Sequence, residues 1–179
     1  MSTPPIWLTR ANGLTLLRLL FAPVFAAVVL QGDFATAALV FCLAVATDVA
    51  DGRVARRDGA PSPYGRTIDH AADATFVAVG TAALACVGEL PVLLSPLIVI
   101  AFLEYAIRSE SFGDGQPRTS RLGHWNGIAY YVAVATPVFR NALGLDWPGV
   151  ALVGALGWLL AASTVISIGS RLISARASE

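Results

Sequence analysis

The sequence has no lysine. All twelve of its cationic side chains are arginines, so every cationic role falls to a guanidinium. Charge of either sign is scarce: Asp, Glu, Lys and Arg make up 13% of 179 residues, against roughly 25% in a soluble domain. With 56% hydrophobic residues and a mean hydropathy of +0.68, that scarcity excludes an ordinary soluble domain and points to an integral membrane protein. The two cysteines, Cys42 and Cys86, lie in apolar runs and read as small core residues, not as a disulfide or metal-ligand pair. Nothing suggests nucleic-acid binding. No short apolar core followed by a cleavage site opens the chain, so no signal peptide is expected. There is no internal repeat or low-complexity run, and one domain over 1–179 is expected.

What is present is apolar sequence in six runs. An interfacial segment over 1–11, with Trp7 and Arg10, precedes them. Spans are expected at about 12–30, 34–56, 64–87, 92–107, 122–139 and 149–168. Runs of about 20 residues at ~1.5 Å per residue match a hydrocarbon core of about 30 Å. Gly, Pro and polar residues break the runs at 31–33, 58–63, 88–91, 108–121 and 140–148, and Pro137 predicts a kink. If the spans alternate, Arg140 stands alone on one side and the other eleven arginines fall on the opposite side. The positive-inside rule then puts both termini in the cytoplasm. The expected class is all-α: a polytopic membrane protein with six transmembrane helices.

Between the second and third runs lies DVADGRVARRDGAPSPYGRTIDHAAD, residues 48–73. Asp48 and Asp51 are three apart and share one helix face; Asp69 and Asp73 are four apart and share a face of the next helix. The turn between makes the helices antiparallel neighbours, so the four carboxylates can converge at one depth. A single Asp at a bilayer centre costs roughly 2.5–3.5 kcal/mol on insertion scales, and four together repel. Divalent cations are one remedy. Oxygen-only ligands favour Mg²⁺, Mn²⁺ or Ca²⁺, and two such ions leave positions for phosphate oxygens. The other reading balances the acids with Arg53, Arg56, Arg57 and Arg66 at hydrated helix ends. Gly52 inside a helix costs about 1 kcal/mol against Ala, which suggests close approach by a ligand or helix.

The same stretch resembles the signature of the CDP-alcohol phosphatidyltransferases, D-x2-D-G-x2-A-R-x8-G-x3-D-x3-D. Asp48, Asp51, Gly52, Ala55, Arg56, Gly65, Asp69 and Asp73 occupy its eight fixed positions. Asn12, Leu14, Thr15 and Arg18 look like that family's first-helix opening. The resemblance implies transfer of the phosphatidyl group of CDP-diacylglycerol to a polar alcohol, with release of CMP. It implies two metal ions, Mg²⁺ or Mn²⁺, held by Asp48, Asp51, Asp69 and Asp73, with Asp73 as the base. It gives Gly52, Ala55, Arg56, Ser62 and Gly65 to the CDP-lipid, and a homodimer is common among such enzymes. Glycerol 3-phosphate is the expected acceptor, with inositol phosphate, serine or another alcohol as alternatives.

Arg108, Arg118 and Arg121 are candidates for an acceptor's phosphate, or are anchors at the cytoplasmic surface. Glu104 can pair with Arg108 four residues on or face a pocket. His70 lies about 100° round the helix from Asp69 and is expected to face away from the acids. Trp7, Trp125 and Trp147 read as interfacial, and Trp158 as lipid-facing or core. Two other classes compete: a small cation transporter, which would distribute its acids through the membrane depth, and a non-catalytic membrane scaffold, which has no need of all eight signature positions.

Overall fold

The computed structural model describes residues 10–58, 63–111 and 121–176, with side chains over 16–50, 69–107 and 121–173. All its regular structure is helical: α1 (Arg10–Leu30), α2 (Phe34–Asp58), α3 (Pro63–Cys86), α4 (Leu94–Ser111), α5 (Arg121–Ala142) and α6 (Val150–Arg176). The expected interfacial segment over 1–11 lies almost wholly outside the described residues.

Three of the connections are tight because glycine ends the helix before each. At the end of α1, Gly32 takes a φ of 77°, a conformation open to glycine at no steric cost. Its N–H bonds Val29 O at 3.0 Å and the next N–H, of Asp33, bonds Val28 O at 3.0 Å, which satisfies carbonyls the helix would otherwise leave unpaired. The same pair of bonds closes α3 at Gly88 and α5 at Gly144. Asp33 then caps α2 by accepting the Thr36 N–H at 3.0 Å. Hydrogen bonds from the Thr36 hydroxyl and backbone hold this carboxyl below the usual carboxylate range.

The helices close a ring in the order α1, α2, α5, α6, α4, α3, and α3 and α5 also touch across the middle. That cross-contact holds the core. Phe76 lies 5.4 Å from Phe25 and 6.1 Å from Phe41, ring centre to ring centre, and stacks on Tyr131 at 6.3 Å. Phe41 also meets Phe139 edge-on at 6.0 Å. Such pairs contribute roughly 0.5–1.5 kcal/mol each beyond the area they bury. Hydroxyls inside the helices bond back to their own backbone, as Thr81 does to Val77 O at 2.8 Å and Thr136 to Val132 O at 2.8 Å.

The outer surface is apolar. Leu20, Leu39, Val92, Val132, Leu159 and Ile173 are each more than half exposed, far from a soluble protein's polar coat. Cys42 and Cys86 are free thiols on this surface and not core residues; an apolar run supplies both faces of such a helix, and these two fall on the outer one. Trp125, Trp147 and Trp158 are likewise exposed, at 65%, 75% and 55%, so Trp158 points outward. By length and composition one described helix, Val150–Ile173, can cross a membrane, with mean hydropathy 2.0 and only 28% of its apolar window buried. Within the described side chains the apolar parts of α1, α2 and α4 are Leu16–Leu30, Phe34–Ala50 and Leu94–Ile107.

At the opposite end, Arg140 and Glu89 form a buried pair, 6% and 9% exposed at their side chains. Asn141 adds a hydrogen bond to Glu89 Oε1 at 2.9 Å, and Arg140 reaches Pro148 O at 3.1 Å. The pair ties the α3–α4 turn to the α5–α6 turn. Beside it, a Cβ on Gly157 would sit 2.5 Å from Pro91 Cδ, whereas one on Gly154 would meet nothing within 4 Å. Gly154→Ala should therefore stabilise the protein by up to ~1 kcal/mol through helix propensity, and Gly157→Ala should destabilise it. Thermal unfolding of both variants in detergent checks this, and equal shifts would contradict the packing.

Candidate active site

Arg18 is the only arginine inside the apolar part of α1, and its side chain is completely buried. Around it stand carboxylates from two other helices. Its Nη2 lies 2.9 Å from Asp48 of α2; its Nη1 lies 3.0 Å from Asp69 and 2.5 Å from Asp73, both of α3. The Asp48 contact is an ion pair off the hydrogen-bond axis, and Nε has no hydrogen-bond partner among the described residues. The Tyr131 hydroxyl of α5 donates to Asp73 Oδ1 at 2.9 Å. Four helices thus meet at one point.

A seven-residue spacing explains the convergence. Arg18 precedes Phe25, Asp48 follows Phe41 and Asp69 precedes Phe76, each by seven residues. Seven residues are about two turns, or ~10 Å, on one helix face. The aromatic cluster packs α1, α2 and α3 together, and the same faces carry the charged groups to one depth two turns away. Tyr131 belongs to both layers.

The site suits a cation. Carboxylate oxygens of Asp48, Asp69 and Asp73 lie within 4.8 Å of one another. The donor set is oxygen only, the preference of hard divalent ions. Three carboxylates against one guanidinium leave a formal charge of −2 among the described side chains, which one divalent ion would neutralise. The acidic cluster could therefore hold a metal.

Beside the cluster opens a cavity of about 490 Å³ between α3, α4, α5 and α6. Asp48 and Asp73 line it; so do Tyr105, Asn126, Tyr130 and Arg171. Arg171 of α6 pairs with Glu104 of α4 at 2.9 Å, and both side chains are nearly buried. His70, expected to face away from the acids, lines the cavity with them and meets Tyr105 edge-on at 5.6 Å. Helical rotation from Asp69 placed His70 off the acidic face, but the cavity reaches round α3 to include it.

Of the acids expected to converge, Asp48, Asp69 and Asp73 do. Asp51, Gly52, Ala55 and Arg56 lie on α2 and Gly65 on α3, but their side chains fall outside the described residues, as does that of Arg108 on α4. Ser62 and Arg118 lie wholly outside them. Arg121, the first residue of α5, is exposed and is not among the residues lining the cavity. Sequence reasoning gave no site role to Arg18, Tyr131 or Arg171. A charged residue inside an apolar run was a signal for Arg18; the other two became visible only as neighbours in space.

The class defined by fold and site is an apolar-surfaced helical bundle, with carboxylates of two helices facing a cavity beside a buried counter-charge. More closely, the chain belongs to the CDP-alcohol phosphatidyltransferase family, whose model matches residues 8–169. It is 31% identical to the CDP-diacylglycerol–glycerol-3-phosphate 3-phosphatidyltransferase of Escherichia coli K12, over 92% of this chain and 93% of that one. It is 35% identical to a probable phosphatidylglycerophosphate synthase of Mycobacterium tuberculosis H37Rv, over 50% of this chain. The matched segment spans 46% of that relative's length. No solved structure matches the chain. The family expected from the signature is the family found.

Replacing Arg18 by Met should cost about 3 kcal/mol, the low end for orphaning a buried charge, because the Asp48 and Asp69 side chains are 41% and 39% exposed. The deficit should be greater in EDTA than with Mg²⁺ present. Thermal unfolding under both conditions measures it, and no dependence on the cation would contradict the charge balance.

Proposed function

We propose that this protein is an integral membrane enzyme that transfers the phosphatidyl group of CDP-diacylglycerol to glycerol 3-phosphate and releases CMP. The observation that carries the reading is the Asp48–Asp69–Asp73 cluster at the edge of the α3–α6 cavity in a member of this family. The E. coli relative's name supplies the acceptor, and the cavity supports it.

In this reading the whole of 1–179 is one membrane domain of six spans, with both termini and the acids on the cytoplasmic side. The exposed apolar surface and the lone Arg140 at the far end support that topology. The outward apolar faces also permit a homodimer.

Asp48, Asp51, Asp69 and Asp73 would hold two Mg²⁺ or Mn²⁺ ions. When bound, these supply positive charge to the pyrophosphate of the donor. Gly52, Ala55, Arg56, Ser62 and Gly65 bind the CDP moiety, and the planar fork of Arg56 suits two phosphate oxygens. The acceptor lies in the cavity. Its hydroxyl oxygen attacks the phosphatidyl phosphorus, the bond from that phosphorus to the CMP oxygen breaks, and Asp73 takes the hydroxyl proton. Asp73 suits this role because it is both in the cluster and on the cavity wall, and Tyr131 holds its carboxylate in place.

Of the arginines expected from sequence for the acceptor's phosphate, Arg121 lies off the cavity and Arg108 and Arg118 remain candidates; Arg171 is a further one. Arg171 lines the cavity, and its pairing with Glu104 keeps a cation there that a phosphate can share. A cation pathway is disfavoured, because the acids sit together at one depth with a guanidinium among them.

Purified protein in detergent with Mg²⁺ or Mn²⁺ should release CMP from CDP-diacylglycerol only when glycerol 3-phosphate is added. Asp73→Asn should lower kcat by 10²-fold or more, the contribution typical of a positioned base. CMP release that ignores the acceptor, or an Asp73→Asn enzyme of normal rate, would contradict the reading.

A further inference from the structure

Besides Arg171, the α5–α6 wall of the cavity carries the neutral polar side chains of Asn126, Tyr130 and Thr164. The Thr164 hydroxyl donates to Leu160 O at 2.8 Å, so the Tyr130 hydroxyl, 2.8 Å from it, is the donor of their shared bond. The Ser163 hydroxyl donates to Asn126 Oδ1 at 2.7 Å. Asn126 is the exception in this wall. It is 5% exposed, it lines the cavity, and its Nδ2 has no partner among the described residues. Buried polar groups are nearly always hydrogen-bonded, and an unmet one calls for an explanation. Turning the amide over gives Nδ2 to Ser163 and leaves Oδ1 unmet instead. In either orientation one polar atom of this amide awaits a partner. A ligand hydroxyl satisfies both cases, since it can accept from Nδ2 or donate to Oδ1.

The charged groups of the same cavity fix which hydroxyl this is. Asp73 lies on the α3 wall and Arg171 on the α6 wall. An acceptor with its phosphate at Arg171 and its reacting hydroxyl at Asp73 has only its remaining hydroxyl left for Asn126. We propose that Asn126 binds the non-reacting hydroxyl of the acceptor, and so makes the site select a polyol phosphate over a simple hydroxyalkyl phosphate. This rests on the transferase reading of the same site. The role is one of binding and selection: Asn126 touches substrate but takes no part in the proton transfer.

The test compares glycerol 3-phosphate with propane-1,3-diol monophosphate, which lacks only the middle hydroxyl. With wild-type protein and CDP-diacylglycerol, kcat/KM should favour glycerol 3-phosphate by about 10-fold or more, since a site built to hydrogen-bond a hydroxyl rejects the analogue without it. In Asn126→Ala the preference should shrink to within about 2–3-fold, with the loss in the KM for glycerol 3-phosphate and the KM for CDP-diacylglycerol unchanged. The donor KM and the thermal midpoint report whether the variant is folded. If Asn126→Ala does not fold, Asn126→Ser, which removes the amide and keeps a polar group, takes its place under the same criteria. Wild-type protein that releases no CMP with either acceptor would overturn the transferase reading and the proposal together. An active wild type with no preference, or a variant that keeps the preference, would overturn the proposal alone.

Discussion

The structure depends on one buried guanidinium. Arg18 comes from α1 and meets carboxylates of α2 and α3, so it joins three helices by charge at the level where apolar packing gives way. Removing one partner from such a cluster leaves the rest uncompensated, which is why buried charge groups stand or fall together. Arg18 does not finish the neutralisation. Three acids and one cation leave an excess of negative charge among the described side chains, and with that excess the cluster could hold a metal ion.

The rest of the bundle makes the cluster possible. Phe25, Phe41 and Phe76 pack two turns away from Arg18, Asp48 and Asp69 on the same three faces. Large rings in mutual contact fix the rotation of each helix about its axis, and that rotation decides whether the charged groups face one another or the surroundings. Glycine-closed turns and the Glu89–Arg140 pair secure the far end. Nearer the acids, Glu104 of α4 pairs with Arg171 of α6, which lines the cavity.

Two chemical requirements meet at Asp73. It belongs to the acidic cluster that could hold a metal, and it lines the cavity. Its bond from Tyr131 ties both to the aromatic core, because the same ring stacks on Phe76. Movement of α5 against α3 would therefore disturb the acidic cluster directly.

Much of this was legible in the chain. Apolar periodicity and turn residues located six helices, the first three within about two residues of their observed ends, while α6 runs eight residues beyond its expected end to Arg176. The spacings of Asp48, Asp69 and Asp73 placed their carboxylates together, because the geometry of one helix is local and repeats every turn. The signature located the family for the same reason: its fixed positions lie within two helices and one turn. The partner of those acids was not local. Arg18 is thirty residues before Asp48, and finding it requires knowing which face of α1 turns inward; the side chains of Arg53, Arg56, Arg57 and Arg66 lie outside the described residues. The outward positions of Cys42, Cys86 and Trp158 were hidden by the same limit, since an apolar residue is compatible with lipid and core alike. The acceptor side also rests on pairings between distant helices, Glu104 with Arg171 and Asn126 with Ser163. The sequence by itself determined the helices, the acids and the family, which depend on contacts within a few turns; the tertiary structure alone decided the counter-charge and the cavity, which depend on how separate helices rotate and pack.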